Sequence, residues 1–154
     1  MSSPFDPNAF MNATMTGALD TRRAPLPEAD TVGIIGSEQD DVKFRQTSDG
    51  TIWLDCLWTV IDDEYKAKAD RKTVRVRQSM SVEFDANGQI SAGKGINADL
   101  GALRQAVGQN SADKPWAPSL LRGAGPARIH IRQRPDKNDP SKIYNEVDRV
   151  TAMA

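Results

Sequence analysis

Residues 73–84 read TVRVRQSMSVEF, and this stretch decides the fold class. Val74, Val76, Met80, Val82 and Phe84 share one parity, interrupted only by Gln78. Arg75, Arg77, Ser79, Ser81 and Glu83 share the other. Successive side chains of an extended chain point to opposite faces, so this alternation predicts a strand with one apolar and one polar face. Residues 126–134, PARIHIRQR, repeat the pattern. There Ala127, Ile129 and Ile131 face in, while Arg128, His130, Arg132 and Arg134 face out.

Upstream of the first of these strands, Thr31–Ile35 and Val42–Gln46 read as one bent strand or two, separated by Gly36-Ser37 and an acidic stretch. Ser48-Asp49-Gly50 is a turn signal. Residues 51–61, TIWLDCLWTVI, follow as a long strand that is apolar on both faces. A charged connection, Asp62–Asp70, leads to residues 73–84, and Asn87-Gly88 closes that strand. Asn97–Val107 predicts the one clear helix. Asn97 suits the N-cap, Asp99 the first turn and Gly108 the position after the end, and Leu100, Leu103 and Val107 form the apolar stripe. Trp116–Leu121 predicts one further helical turn. Ile143–Thr151 predicts the last strand, with Val147 on one face and Tyr144 and Val150 on the other. Residues 1–30, punctuated by Pro4, Pro7, Pro25 and Pro27, predict an arm; residues 31–154 predict one β domain. Within the arm, Phe10, Met11, Met15 and Leu19 fall at helical spacing over 8–19, a stripe suited to docking on the core or on a second subunit.

A chain of 154 residues builds its own core without a staple. With 20 Lys+Arg against 21 Asp+Glu it is neither a histone-like basic protein nor an acidic one. One cysteine, Cys56, and one histidine, His130, cannot form an intramolecular disulfide or a Cys/His zinc site, so neither metal nor cofactor is expected. No apolar run approaches the ~20 residues that cross a bilayer. The opening MSSPFDPNAF lacks the features of a secretory signal. A soluble, intracellular protein without membrane contact is the expectation. Charge is unevenly distributed: residues 1–70 hold 6 Lys/Arg and 13 Asp/Glu, residues 71–154 hold 14 and 8. A basic half points to a polyanion partner, because local potential steers an anion.

The order of elements is strands, one helix, then two strands. It predicts a mainly β protein, a five-stranded Greek-key barrel of the oligonucleotide-binding (OB) type with the helix between strands three and four. An α+β sandwich with one covering helix also fits, whereas a doubly wound α/β fold does not. Three segments carry a resemblance: FMNATMTGALDTRRAPLPEADTVGII (10–35), NADLGALRQAVG (97–108) and ARIHIRQRPDKNDPSKIYNEVDRV (127–150). In these the chain resembles phage-encoded single-stranded DNA-binding proteins of the OB fold, although it ends in TAMA where many of them carry an acidic tail. The resemblance implies a non-catalytic protein of phage DNA replication or recombination. It would act in the host cytoplasm with single-stranded DNA and replication proteins as partners. Apart from the resemblance, the apolar stripe of the arm has no obvious home, so the arm is expected to pair subunits into a homo-oligomer.

Sequence-tolerant binding of single strands needs cations that track phosphates and rings that stack on bases. Arg75 and Arg77 form one outward basic row. Arg128, Arg132 and Arg134 form another, extended by Lys137 and Lys142 in the next loop. Trp53 is predicted to face out, opposite in parity to Leu54 and Cys56, and Tyr144 stands at the exit of the 135–141 loop. Lys43, Phe44 and Arg45 form a basic–aromatic–basic triplet beside the Asp-Gly turn. Trp58 is expected in the core, and Trp116 as a lid. Two rival readings are a virion or assembly protein, and a metal-dependent nuclease using Asp62, Asp63 and Glu64. The glycines of Gly93-Lys94-Gly95 do not complete a phosphate loop.

Overall fold

The protein was analysed as a computed structural model, which describes residues 5–20 and 23–153. The predicted alternations appear as strands. They are β1 (Ala29–Ile35), β2 (Val42–Gln46), β3 (Ile52–Val60), β4 (Arg75–Val82), β5 (Ala127–Pro135) and β6 (Ile143–Thr151). Helices α1 (Asp63–Lys68) and α2 (Ala98–Ala106) and short 3₁₀ turns connect them.

All strand pairs are antiparallel, and β3 is the hub. One edge of β3 bonds β4 along its length, from Ile52↔Val82 to Thr59↔Arg75. Its other edge is shared: β2 takes residues 52–56, and β1 takes residues 58–60. β1 then passes to β5, and β5 to β6. The interruption between β1 and β2 falls at Gly36, where any Cβ would overlap the Asp41 carboxylate. Asp41 is held there by a capping box with Glu38 around the turn Gln39–Asp41. Gly33 lets β1 cross β3 closely, because a Cβ there would stand 3.1 Å from the Thr59 carbonyl oxygen and 3.0 Å from Ile129 Cδ1.

The mainly β expectation holds, but a closed five-stranded barrel does not. The sheet has six strands, and no hydrogen-bonded ladder joins β4 to β6. The two strands lie side by side with α2 packed against both. Buried Leu100, Leu103 and Ala106 of α2 fill this seam, so apolar packing stands where a ladder would close the barrel.

The core contains Ile35, Trp58, Met80, Leu103, Leu121, Ile129 and Ile131. Trp58 is buried as expected, and it explains the break in the β4 pattern: its indole N–H donates to the buried Gln78 Oε1 at 2.9 Å. The expected faces of β6 need correction. Val147 and Val150 are both buried, because a bulge opposite His130/Ile131 inserts Asp148 and resets the alternation. Asn97 also differs from expectation. It adopts φ 55° and makes no side-chain cap. Instead its amide bonds both the N–H and the carbonyl of Glu83 and the Ser91 carbonyl, tying the loop after β4 to the start of α2.

The Asp62–Asp70 connection contains α1, capped by Asp62, whose carboxylate accepts from Glu64 N–H at 3.1 Å and from Thr31 Oγ1 at 3.0 Å. The segment after Trp116 forms a 3₁₀ turn over Pro118–Leu121. The arm shows two different parts. Its root is docked: Leu26 is buried, its N–H and carbonyl are both bonded by the Asn145 side chain, and Tyr65 donates to the Pro27 carbonyl at 2.7 Å. The helix expected over 8–19 is only a 3₁₀ turn at Phe10–Asn12, and Phe10, Met11, Met15 and Leu19 are exposed rather than docked on the core. Residues 1–4 and 21–22 of the arm lie outside the described residues. Among the described residues no helix is long and apolar enough to cross a membrane.

Gln78→Ala strands the buried Trp58 donor. Urea unfolding should show a loss of about 1–3 kcal/mol. The double variant Trp58→Phe/Gln78→Leu should lose less than the sum of the two single changes, and strict additivity would contradict the pairing.

Candidate nucleic-acid interface

The outward faces of β2, β3 and β4 carry one end of the site. Arg45 and Trp53 are cross-strand partners, with the Arg45 guanidinium carbon 5.2 Å from the Trp53 ring centre. Arg45 Nε donates to Asp55 Oδ2 at 2.9 Å, and Ser79 Oγ donates to Asp55 Oδ1 at 2.6 Å. Asp55 is only 3% exposed, so a buried carboxylate sets the position of a cation that is itself 45% exposed. Hydrogen bonds of this charge-assisted kind fix geometry as well as contribute energy. Trp53 is half-buried on the outward face of the central strand β3, as its parity predicts.

The outward faces of β5 and β6 carry the other end. Arg132 Nε donates to Glu146 Oε1 at 2.5 Å, and Arg134 Nε lies 3.5 Å from Glu146 Oε2. One carboxylate thus serves two arginines. His130 Nδ1 contacts Asp148 Oδ1 at 2.6 Å, and Arg149 Nη2 lies 3.7 Å from Asp30 Oδ1. The basic row read in the sequence is matched by an acidic one across the strand pair.

These two ends meet in one cleft of about 680 Å³ along the β4/β6 seam. Arg45, Trp53, Arg132 and Arg134 line it, with Ser79 from β4, Leu103 from α2 and Val147 from β6. Arg149 joins them. Four arginines thus line the cleft beside the carboxylates of Asp99, Glu146 and Asp148.

The loop between β5 and β6 is built by Asp136. Its carboxylate accepts the N–H of Asn138 at 2.8 Å and of Asp139 at 3.2 Å. The Asn138 bond, and then one from the Tyr144 hydroxyl, hold this carboxyl below the usual carboxylate range. Tyr144 sits between two cations, 5.1 Å from Lys142 Nζ and 5.9 Å from the Arg134 guanidinium carbon. Lys137 is exposed in the same loop.

The remaining expected residues stand elsewhere. Arg75 and Arg77 are exposed on the outward face of β4, beyond Ser79, and do not line the cleft. Arg128 lies at the start of β5, paired with Val32 and Thr151. Lys43 and Phe44 line a second cleft of about 400 Å³ with Trp53. Phe44 pairs with Leu54 and shares its core-side parity, yet it is 73% exposed at the open end of the sheet. Trp116 lies under the Arg104 guanidinium at 4.4 Å and donates to Gln109 Oε1 at 2.9 Å. Sequence reasoning missed Asp55 and Arg149. Asp55 was visible as the lone acid of an apolar strand. Arg149 was hidden by the bulge that decides its face.

Asp62 serves as a helix cap, and Asp63 lies 3.3 Å from Lys66 Nζ. Among the described residues no three His, Cys, Asp or Glu side chains gather to hold a metal ion. Cys56 points into the core and His130 outward, so the two do not form a nucleophile–base pair. No protein-family model matches the chain, and no curated protein matches it in sequence.

Burial, with the neighbouring Asp55 charge adding to it, pushes the Cys56 thiol from 9.0 up to about 12. Burial likewise pushes the Tyr65 phenol from 10.0 to about 12, against the opposing effect of Arg71. Both groups ionise more readily in the unfolded chain. Their contribution to stability is therefore complete below about pH 9 and is lost as pH rises towards about 12. Urea midpoints measured from about pH 8 to 11 should fall, and Cys56→Val should flatten the decline. A midpoint independent of pH over that range would refute the assignment.

Proposed function

We propose that this protein binds single-stranded DNA with little regard to sequence, as an OB-type module of phage DNA replication or recombination in the host cell. β1 and β2 follow one edge of β3 in succession, and read as a single bent first strand they leave five strands with α2 between the third and the fourth. That order is the one an OB barrel uses, here with the seam between its third and fifth strands packed rather than bonded.

The observation that carries the reading is the convergence of Arg45, Trp53, Arg132 and Arg134 on one cleft. Guanidinium groups suit a phosphate backbone because they donate in a planar fork, and an indole accepts any base on its face. In the free protein the cations are held by Asp55 and Glu146. A phosphate entering the cleft competes with Glu146 for Arg132 and Arg134. Pairing in this way keeps the arginines extended and ready, and lowers affinity for stray anions. Tyr144 and the loop lysines Lys137 and Lys142 extend the track beyond one end of the cleft. Arg75 and Arg77 extend the basic face along β4.

Fluorescence anisotropy of a labelled dT strand of about 30 nucleotides should show tight binding that duplex DNA does not displace and that weakens steeply with salt. Trp53→Ala should lose about 1–3 kcal/mol, or roughly 5- to 150-fold in Kd. Arg132→Ala should weaken all sequences about equally. Glu146→Gln, which frees two arginines, should tighten binding. Absence of binding at low salt would overturn the proposal.

A further inference from the structure

We propose that two copies of this chain exchange their N-terminal arms, the apolar segment around Phe10 and Met11 of each seating in the cleft beside Phe44 of the other.

Both halves of this contact are uncovered in a single copy. Phe5, Phe10, Met11, Met15 and Leu19 are each more than half exposed. Phe5 and Phe10 meet edge to face at 5.7 Å between ring centres. The cleft of about 400 Å³ is lined by Phe44, Ile52, Leu54, Phe84, Ile90 and Pro118, and Phe44 and Phe84 are 73% and 43% exposed. Two uncovered apolar surfaces on one chain are removed from water when one covers the other.

Charge favours the same match. Residues 5–20 hold Asp6 and Asp20 and no basic residue. The cleft is rimmed by Lys43 and Arg122. Arg122 donates through Nη2 to the Val42 carbonyl at 3.0 Å, but its Nε is buried without a hydrogen-bond partner among the described residues.

Within a single copy no described residue of the arm lines this cleft. The arm root is fixed by Asn145 and by Tyr65 of α1, which follows the Val60 end of β3. The cleft lies at the Ile52 end. Nine residues of strand separate the two ends, about 30 Å. Pro25 and Pro27 stiffen the chain as it leaves the root.

The test uses the full chain without DNA, so its outcome is separate from that of the proposed DNA cleft. Light scattering at about 50 μM should give twice the chain mass. Phe10→Asp/Met11→Asp and Phe44→Asp, all at exposed positions, should each give a monomer. A second measurement uses a short bismaleimide linker and the variants Met11→Cys and Phe44→Cys. Cys56 is buried and stays silent. Cross-linked dimer should form between the two variants when mixed, and more than in either alone. A monomeric wild type overturns the proposal, as does a dimer insensitive to either site, or a failure of the mixed pair to cross-link.

Discussion

The fold depends on how β3 satisfies both of its edges. A nine-residue strand in the middle of a sheet must bond on two sides, and β3 does so with three partners. On one side β4 suffices. On the other, β2 and β1 divide the edge, and the chain must turn away and return between them. That division requires Gly36, which gives Asp41 the space a side chain would take, and Gly33, which lets β1 pass close over Trp58 and Thr59. With those two contacts made, β1 is directed to β5 and the sheet curves around Trp58, Ile35 and Ile129. The curvature leaves β4 and β6 facing each other with α2 at the seam.

The cleft follows from this seam. Because β4 and β6 are adjacent but not bonded, residues from distant parts of the chain line one space. Its arginines do not stand free. Asp55, buried between Arg45 and Ser79, and Glu146, shared by Arg132 and Arg134, hold them in place. The countercharges lie between the arginines, so a row of cations coexists with a net charge of −1.

The arm divides at Leu26. Below it, Asn145 of β6 and Tyr65 of α1 bond the backbone of Leu26 and Pro27. Above it, a run of large apolar side chains stays exposed. Spacing alone suggests a helix there, but a helix in water needs packing along its apolar face, and a segment without a partner keeps only a single 3₁₀ turn.

Local pattern determined much of this protein. The alternation of 73–84 and 126–134 set β4 and β5, their buried faces and their outward arginines, because a half-buried strand writes its burial into every second residue. The parity of Trp53 and Trp58 separated an outward ring from a core one. Tertiary structure alone decided the rest. The bulge at Asp148 moved Val150 into the core and Arg149 to the cleft, and a one-residue insertion leaves no mark on composition. Gln78 looked like a fault in the pattern until Trp58 supplied its partner from another strand. Arg75, Arg77 and Arg128 share the parity of the cleft arginines but not their place, because parity fixes the face a residue occupies while curvature fixes which residues on that face meet.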